Sequence, residues 1–296
     1  MSYRFLKLAL AGMLTAIGIS TAAEAATVVV GGKNYTEQQL MAEITSQLLT
    51  AKGFTVDKRA GLGTAPLRQA QESGQIDVYW EYTGTSLITF NKVTDKLDAD
   101  QTYAKVKELD AAKGLVWLNP SKANNTYGFA MRAADAKAKG IATMSELAAK
   151  VKGGDALKFG SNAEFYARPD GLKPLEDAYG FSFGRENVVR MDTGLVYQAL
   201  KDSQVDVGLI FATDGRIPAF NFVVLKDDKG YFPTYAMTPV IRKATLDANP
   251  KLAEILNGVS AKLDDATMAK LNASVDVDKK SIEAVASEFL KGQGLI

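Results

Sequence analysis

Aromatic rings in this chain stand beside loops. Tyr82 closes an apolar run, Tyr127 opens another, Tyr197 follows the helix-start signal Asp192-Thr193-Gly194, Tyr235 lies in a proline-bearing return, and Phe220 comes beyond a second apolar run. The face of an aromatic ring is electron-rich, so three or four rings around one point form a site for a quaternary ammonium, which has no proton to donate. The same rings could instead pack a core or a lid. Lys33 and Arg168 are cations in loop-like segments. Their plain reading is a solvated Lys33 and an Arg168 paired with Glu164 or Asp170.

Catalysis has less to work with. The chain has no histidine and no cysteine, which removes Ser-His-Asp hydrolysis, thiolate chemistry and the usual zinc sites. No cofactor or metal is expected. Gly61-Leu62-Gly63-Thr64-Ala65-Pro66 begins like a nucleotide loop, but Pro66 stands where a third glycine belongs and no Gly-Lys-Ser/Thr follows, so it reads as the turn that opens a helix. Lysine and arginine total 35 against 34 aspartate and glutamate, a balance that offers no basic face to nucleic acid. What remains on the enzymatic side is an exported hydrolase with a carboxylate pair drawn from Glu81, Glu164 and Asp214, as in a glycosidase, though no aromatic sugar groove accompanies them.

The scaffold that must position these side chains is written twice. Residues 69–84 read QAQESGQIDVYWEYTG and residues 198–215 read QALKDSQVDVGLIFATDG. Each is a helix end, a turn, an apolar strand opened by Ile/Val-Asp-Val, and a hydroxyl-bearing loop. In open α/β sheets ligands bind beyond the carboxyl ends of strands, so two such units imply one ligand held between two lobes. Two unrelated joints sharing the same turn residues are the alternative. Asp77 and Asp206 read as structural residues at the strand starts.

The rest of the chain supplies the other elements. Strands are predicted at 27–31, 54–58, 115–118, 129–131, 157–160 and 222–225, and helices at 36–52, 66–73, 103–113, 145–151, 172–179 and 194–201, with a helical tail from 244. Strands alternating with helices predict an α/β class with largely parallel sheets. No linker separates two domains in series, which favours discontinuous lobes, the chain crossing over and returning. At the N-terminus Arg4 and Lys7 precede an apolar run at 8–19 and Ala23-Glu24-Ala25, the pattern of a signal peptide cleaved near Ala25. That run is short for a membrane span, and no lipobox cysteine exists, so an exported, free periplasmic protein is expected.

GGKNYTEQ, EYTGT, NNTYGFA, GLVYQA and FATDGRI, in this order and spacing, resemble the osmoprotectant-binding proteins of ABC importers for glycine betaine, choline and related quaternary amines. The similarity runs from about residue 27 to the C-terminus. It implies a two-lobed periplasmic binding protein of type II-like fold, with residues 26–128 and 225–296 in lobe I and 129–224 in lobe II. It implies an aromatic cage of Tyr82, Tyr127 and Tyr197, with Phe220 where the family has a fourth tyrosine and Tyr235 as the substitute. Thr85, Lys33 and Arg168 are implied at the ligand's polar end. The implied partners are a small quaternary-ammonium ligand, most of all glycine betaine, and the permease subunits of the transporter; the protein is expected to be a monomer that performs no chemistry.

Overall fold

The computed structural model describes residues 27–296; the signal-peptide reading lies outside them. The strands are β1 (Val28–Lys33), β2 (Val56–Leu62), β3 (Val78–Tyr82), β4 (Leu115–Trp117), β5 (Tyr127–Arg132), β6 (Phe159–Ser161), β7 (Val188–Arg190), β8 (Val207–Phe211), β9 (Phe222–Val224) and β10 (Met237–Arg242). They form two five-stranded sheets, in the orders β2-β1-β3-β10-β4 and β7-β6-β8-β5-β9.

The two sheets share one plan. β1 is parallel to β2 and β3, and β6 is parallel to β7 and β8. One strand in each runs backwards: β10 is antiparallel to β3 and β4, and β5 is antiparallel to β8 and β9. Chain direction accounts for this. The forward strands end at the junction between the lobes, so a strand that enters a lobe from that junction begins there and must run the other way. β5 is the first strand after the outward crossing and β10 the first after the return. The second sheet therefore starts at Tyr127, ahead of the expected boundary at 129.

The internal repeat extends to atomic detail. Asp77 donates its N–H to Val29 O (2.8 Å) and accepts from Val29 N–H (2.9 Å), and Asp206 does the same with Lys158 (2.9 and 2.8 Å). An arginine from the end of the reversed strand meets each carboxylate, Arg242 at Asp77 (3.2 Å) and Arg132 at Asp206 (3.8 Å). These aspartates tie strand starts together at the end of each sheet remote from the junction.

Local rules set several helix ends. Asp98 and Thr143 each form a reciprocal capping box, with Gln101 and Glu146, at the start of helices Ala99–Ala111 and Met144–Lys152. The tail divides into helices Lys243–Ala248, Lys251–Ser260, Asp265–Asp276 and Ile282–Gly292. The last two pack on the Thr36–Ala51 helix of the first lobe, and Asp265–Asp276 also reaches the second lobe at Arg216–Ala219. Gly215 permits that approach, since a Cβ there would lie 2.4 Å from the Ala273 Cβ. Among the described residues no helix is long and apolar enough to cross a membrane.

Candidate ligand-binding site

A cleft of about 1150 Å³ lies where the strand ends of the two sheets meet. Pairing across the strands brings its aromatic walls together. In the first sheet Tyr82, the last residue of β3, pairs with Met237 at the start of β10, just after Tyr235. In the second, Phe211 at the end of β8 pairs with Tyr127 at the start of β5. Tyr35, Tyr82, Tyr127, Phe211 and Tyr235 all border the cleft. Tyr127 lies 5.0 Å from Phe211 and 5.4 Å, edge-on, from Tyr235, and Tyr35 stacks on Phe211 at 5.4 Å. Gly84 admits the Tyr235 ring, because a Cβ there would lie 2.9 Å from its Cδ1.

The phenols of this group stay neutral. Burial pushes the Tyr82 hydroxyl well above its ordinary range and the Glu37 carboxylate beside it adds to the rise; burial and then Asp170 do the same at Tyr235. Tyr82 donates to Glu37 Oε1 (2.7 Å) and Tyr235 to Asp170 Oδ2 (2.5 Å). Each hydroxyl therefore fixes its ring in the cleft wall.

Two expected cage members stand elsewhere. Tyr197 is fully buried in the second lobe; its hydroxyl accepts from Phe211 N–H (2.9 Å) and the Arg216 guanidinium lies 4.0 Å over its ring. Its helix, Thr193–Lys201, presents its first residues to the cleft, but Tyr197 sits a turn further on, on the face turned to the sheet. The repeat places Arg68 at the same position of helix Thr64–Glu72, where it too is buried, forked onto Asp110 (2.8 and 2.6 Å). Phe220 packs edge-on against Phe222 at 5.7 Å. Phe222 pairs with Arg132 at the remote end of β5, so Phe220 is a sheet's length from the cleft. The ring that corresponds to Tyr82 in the repeat is Phe211, a match that the alignment of the two units contains and that the reading by loops passed over.

The polar residues divide likewise. Thr85 and Lys33 border the cleft. Lys33 is only 2% exposed, donates to Glu81 Oε1 at 2.6 Å and lies 5.0 Å from the Tyr82 ring centre. Arg168 is buried behind Tyr127, 5.4 Å from that ring, and does not border the cleft. It donates to Asp170 through Nε and Nη2 (2.7 Å each) and to Glu164 through Nη1 (3.2 Å). Both of the plain pairings considered for it are present.

Tyr35 and Glu37 both escaped the sequence reading. Glu37, near the start of the Thr36–Ala51 helix, is buried at the cleft floor and accepts from Tyr82 Oη (2.7 Å), Asn125 Nδ2 (2.7 Å), Thr213 Oγ1 (2.5 Å) and Asn272 Nδ2 (3.0 Å). Burial raises its carboxyl above the usual range, and the bonds from Thr213, Tyr82, Asn272 and Asn125 pull it back. It joins the first lobe, a crossing segment, the second-lobe loop and the tail helix at one carboxylate. Nothing local marks such a residue, because its partners are 45 to 235 positions away. Among the described residues no cluster of three or more acidic, histidine or cysteine side chains could hold a metal.

This arrangement, rings and paired charges between two like sheets, has relatives. Residues 26–292 match the OpuAC family, described as the substrate binding domain of ABC-type glycine betaine transport system. A glycine-betaine-binding protein of Pseudomonas aeruginosa is 45% identical, over 99% of this chain and 95% of that protein. The glycine betaine-binding protein YehZ of Escherichia coli is 35% identical over 95% of each. A solved structure of a glycine betaine/carnitine/choline ABC transporter protein superposes with a TM-score of 0.74 at 29% identity, covering 90% of this chain and 99% of the other. A family match over nearly the whole length, with the same two-lobed architecture, places this chain in the OpuAC family of ABC-transporter substrate-binding proteins.

Proposed function

We propose that this protein captures a quaternary-ammonium compound, glycine betaine first among them, in the cleft and delivers it to the permease of an ABC importer. The observation that carries the reading is the ring group Tyr35, Tyr82, Tyr127, Phe211 and Tyr235, gathered on one cleft from both sheets. Thr85 and Lys33 are the polar groups within reach of the ligand's other end. The lobes are residues 27–126 with 225–296, and 127–224. They close on the ligand by a hinge motion at the two crossings. Export through the N-terminal segment, cleaved near Ala25, would deliver a monomer to the periplasm.

The protein acts by binding and performs no chemistry in this reading. Glu81 is ion-paired with Lys33, Glu164 with Arg168 and Asp214 with Arg216, so each carboxylate of the hydrolase alternative is already engaged within the protein, and that alternative has less support.

Calorimetric titration of the purified protein with glycine betaine, choline, carnitine and proline betaine tests the proposal. Saturable one-to-one binding of at least one of them is expected. Heats of dilution alone across the whole panel would overturn it.

A further inference from the structure

The path from Arg168 to the cleft runs through Glu164. Asp170 takes Nε and Nη2 of the guanidinium, and Glu164 Oε1 takes Nη1. Arg168 is 6% exposed and does not border the cleft, whereas Glu164 does and its side chain is 38% exposed. The second oxygen of Glu164 accepts from Thr64 Oγ1 at 2.8 Å, and Thr64 opens the Thr64–Glu72 helix of the first lobe. A carboxylate of the protein thus lies between a guanidinium on one lobe and a hydroxyl on the other. Those are the partners that the carboxylate of a zwitterionic ligand would seek.

We propose that Glu164 is a resident carboxylate that competes with the ligand's own carboxylate for Arg168 and Thr64, and thereby sets how far the cleft prefers a zwitterion over a plain quaternary cation. The inference rests on the quaternary-ammonium reading above. Arg168, Asp170 and Glu164 together carry one positive and two negative charges. A third carboxylate approaching this group is repelled until Glu164 withdraws. Glu164 is free to do so, being partly exposed and on the short helix Ala163–Ala167. A ligand with no carboxylate meets no such repulsion.

Glu164→Gln removes the charge and keeps the shape. Titrating the parent and this variant with glycine betaine and with choline, alongside thermal melts to check folding, measures the effect. The dissociation constant for betaine should fall about tenfold, the equivalent of one pKa unit of lost repulsion, while that for choline stays within about twofold. Thr64→Val, which cuts the contact between lobes and leaves the charge, should shift both ligands by a similar factor. Rising salt should favour betaine over choline in the parent and not in Glu164→Gln, a measurement on the parent that stands even if a variant folds poorly. Equal shifts for both ligands in Glu164→Gln, or weaker betaine binding, would overturn the inference while the function above stands. A parent that binds neither ligand overturns that function and this inference with it.

Discussion

Two tyrosines that look equivalent in sequence do different work. Tyr127 borders the cleft and touches Phe211 and Tyr235 of its wall and the buried Phe165, whereas Tyr197 is sealed under Arg216. Tyr127→Ala should weaken quaternary-ammonium binding by about 1 to 2 kcal/mol, read by titration. Tyr197→Ala should lower unfolding free energy by about 3 to 5 kcal/mol in denaturant melts, because it empties a fully buried site and strands the Phe211 N–H. The folded fraction of that variant should bind nearly as the parent does. If Tyr197→Ala were stable and binding-dead, the assignment of the two rings would be reversed.

At the scale of elements, the paired strand starts invite a parallel test. Asp77 accepts from Val29 N–H, from Thr245 Oγ1 (2.6 Å) and from Arg242, while Asp206 accepts from Lys158 N–H with Arg132 further off. Asp77→Ala leaves three donors unpaired at a nearly buried position, so a loss of about 2 to 3 kcal/mol is expected. Asp206→Ala, at a third-exposed side chain, should cost about 1 kcal/mol. Neither should alter ligand affinity, since both lie at the end of the sheet away from the cleft. A change in affinity without a change in melting would contradict the placement. These elements were largely legible: a β-branched run ending in Gly31-Gly32 marked β1, and the repeated Ile/Val-Asp-Val units marked β3 and β8 and their equivalence. β7 was not anticipated, because three residues ending in arginine carry too little pattern, and the reversal of β5 and β10 follows from chain path, not from local sequence.

At the scale of the molecule, the first lobe hangs on a buried ion pair remote from the ligand. Arg68 forks onto Asp110, which also accepts from Ser86 (2.8 Å), Asn91 (2.9 Å) and Trp117 (2.8 Å). Burial alone would push the Asp110 carboxyl up, but Arg68, then Asn91 and Trp117, more than reverse this and hold it at about 2. Its folded pKa is thus below its unfolded value, so the unfolded chain takes up the proton first as pH falls. The stabilisation is complete above about pH 4 and is lost between there and about pH 2, on the order of 2 kcal/mol. Asp110→Asn should flatten that part of the acid limb in melts recorded against pH, and an unchanged limb would show that the pair does not carry it.

Composition and local pattern were enough to determine the class of this protein. The absence of histidine and cysteine, the alternation of strands and helices and the repeated Ile/Val-Asp-Val units pointed to a two-lobed binder, and the family resemblance offered Tyr82, Tyr127, Tyr197 and Phe220, with Tyr235 as the substitute, as its rings. Which face of a helix is buried, and which charge answers which, depends on neighbours far along the chain. Only the tertiary structure therefore sank Tyr197 into a core, carried Phe220 to the far end of its sheet, engaged Lys33 with Glu81 and set Glu164 between Arg168 and the cleft. The same long separations hid Glu37, whose carboxylate gathers its partners from four segments only once the two sheets are brought end to end.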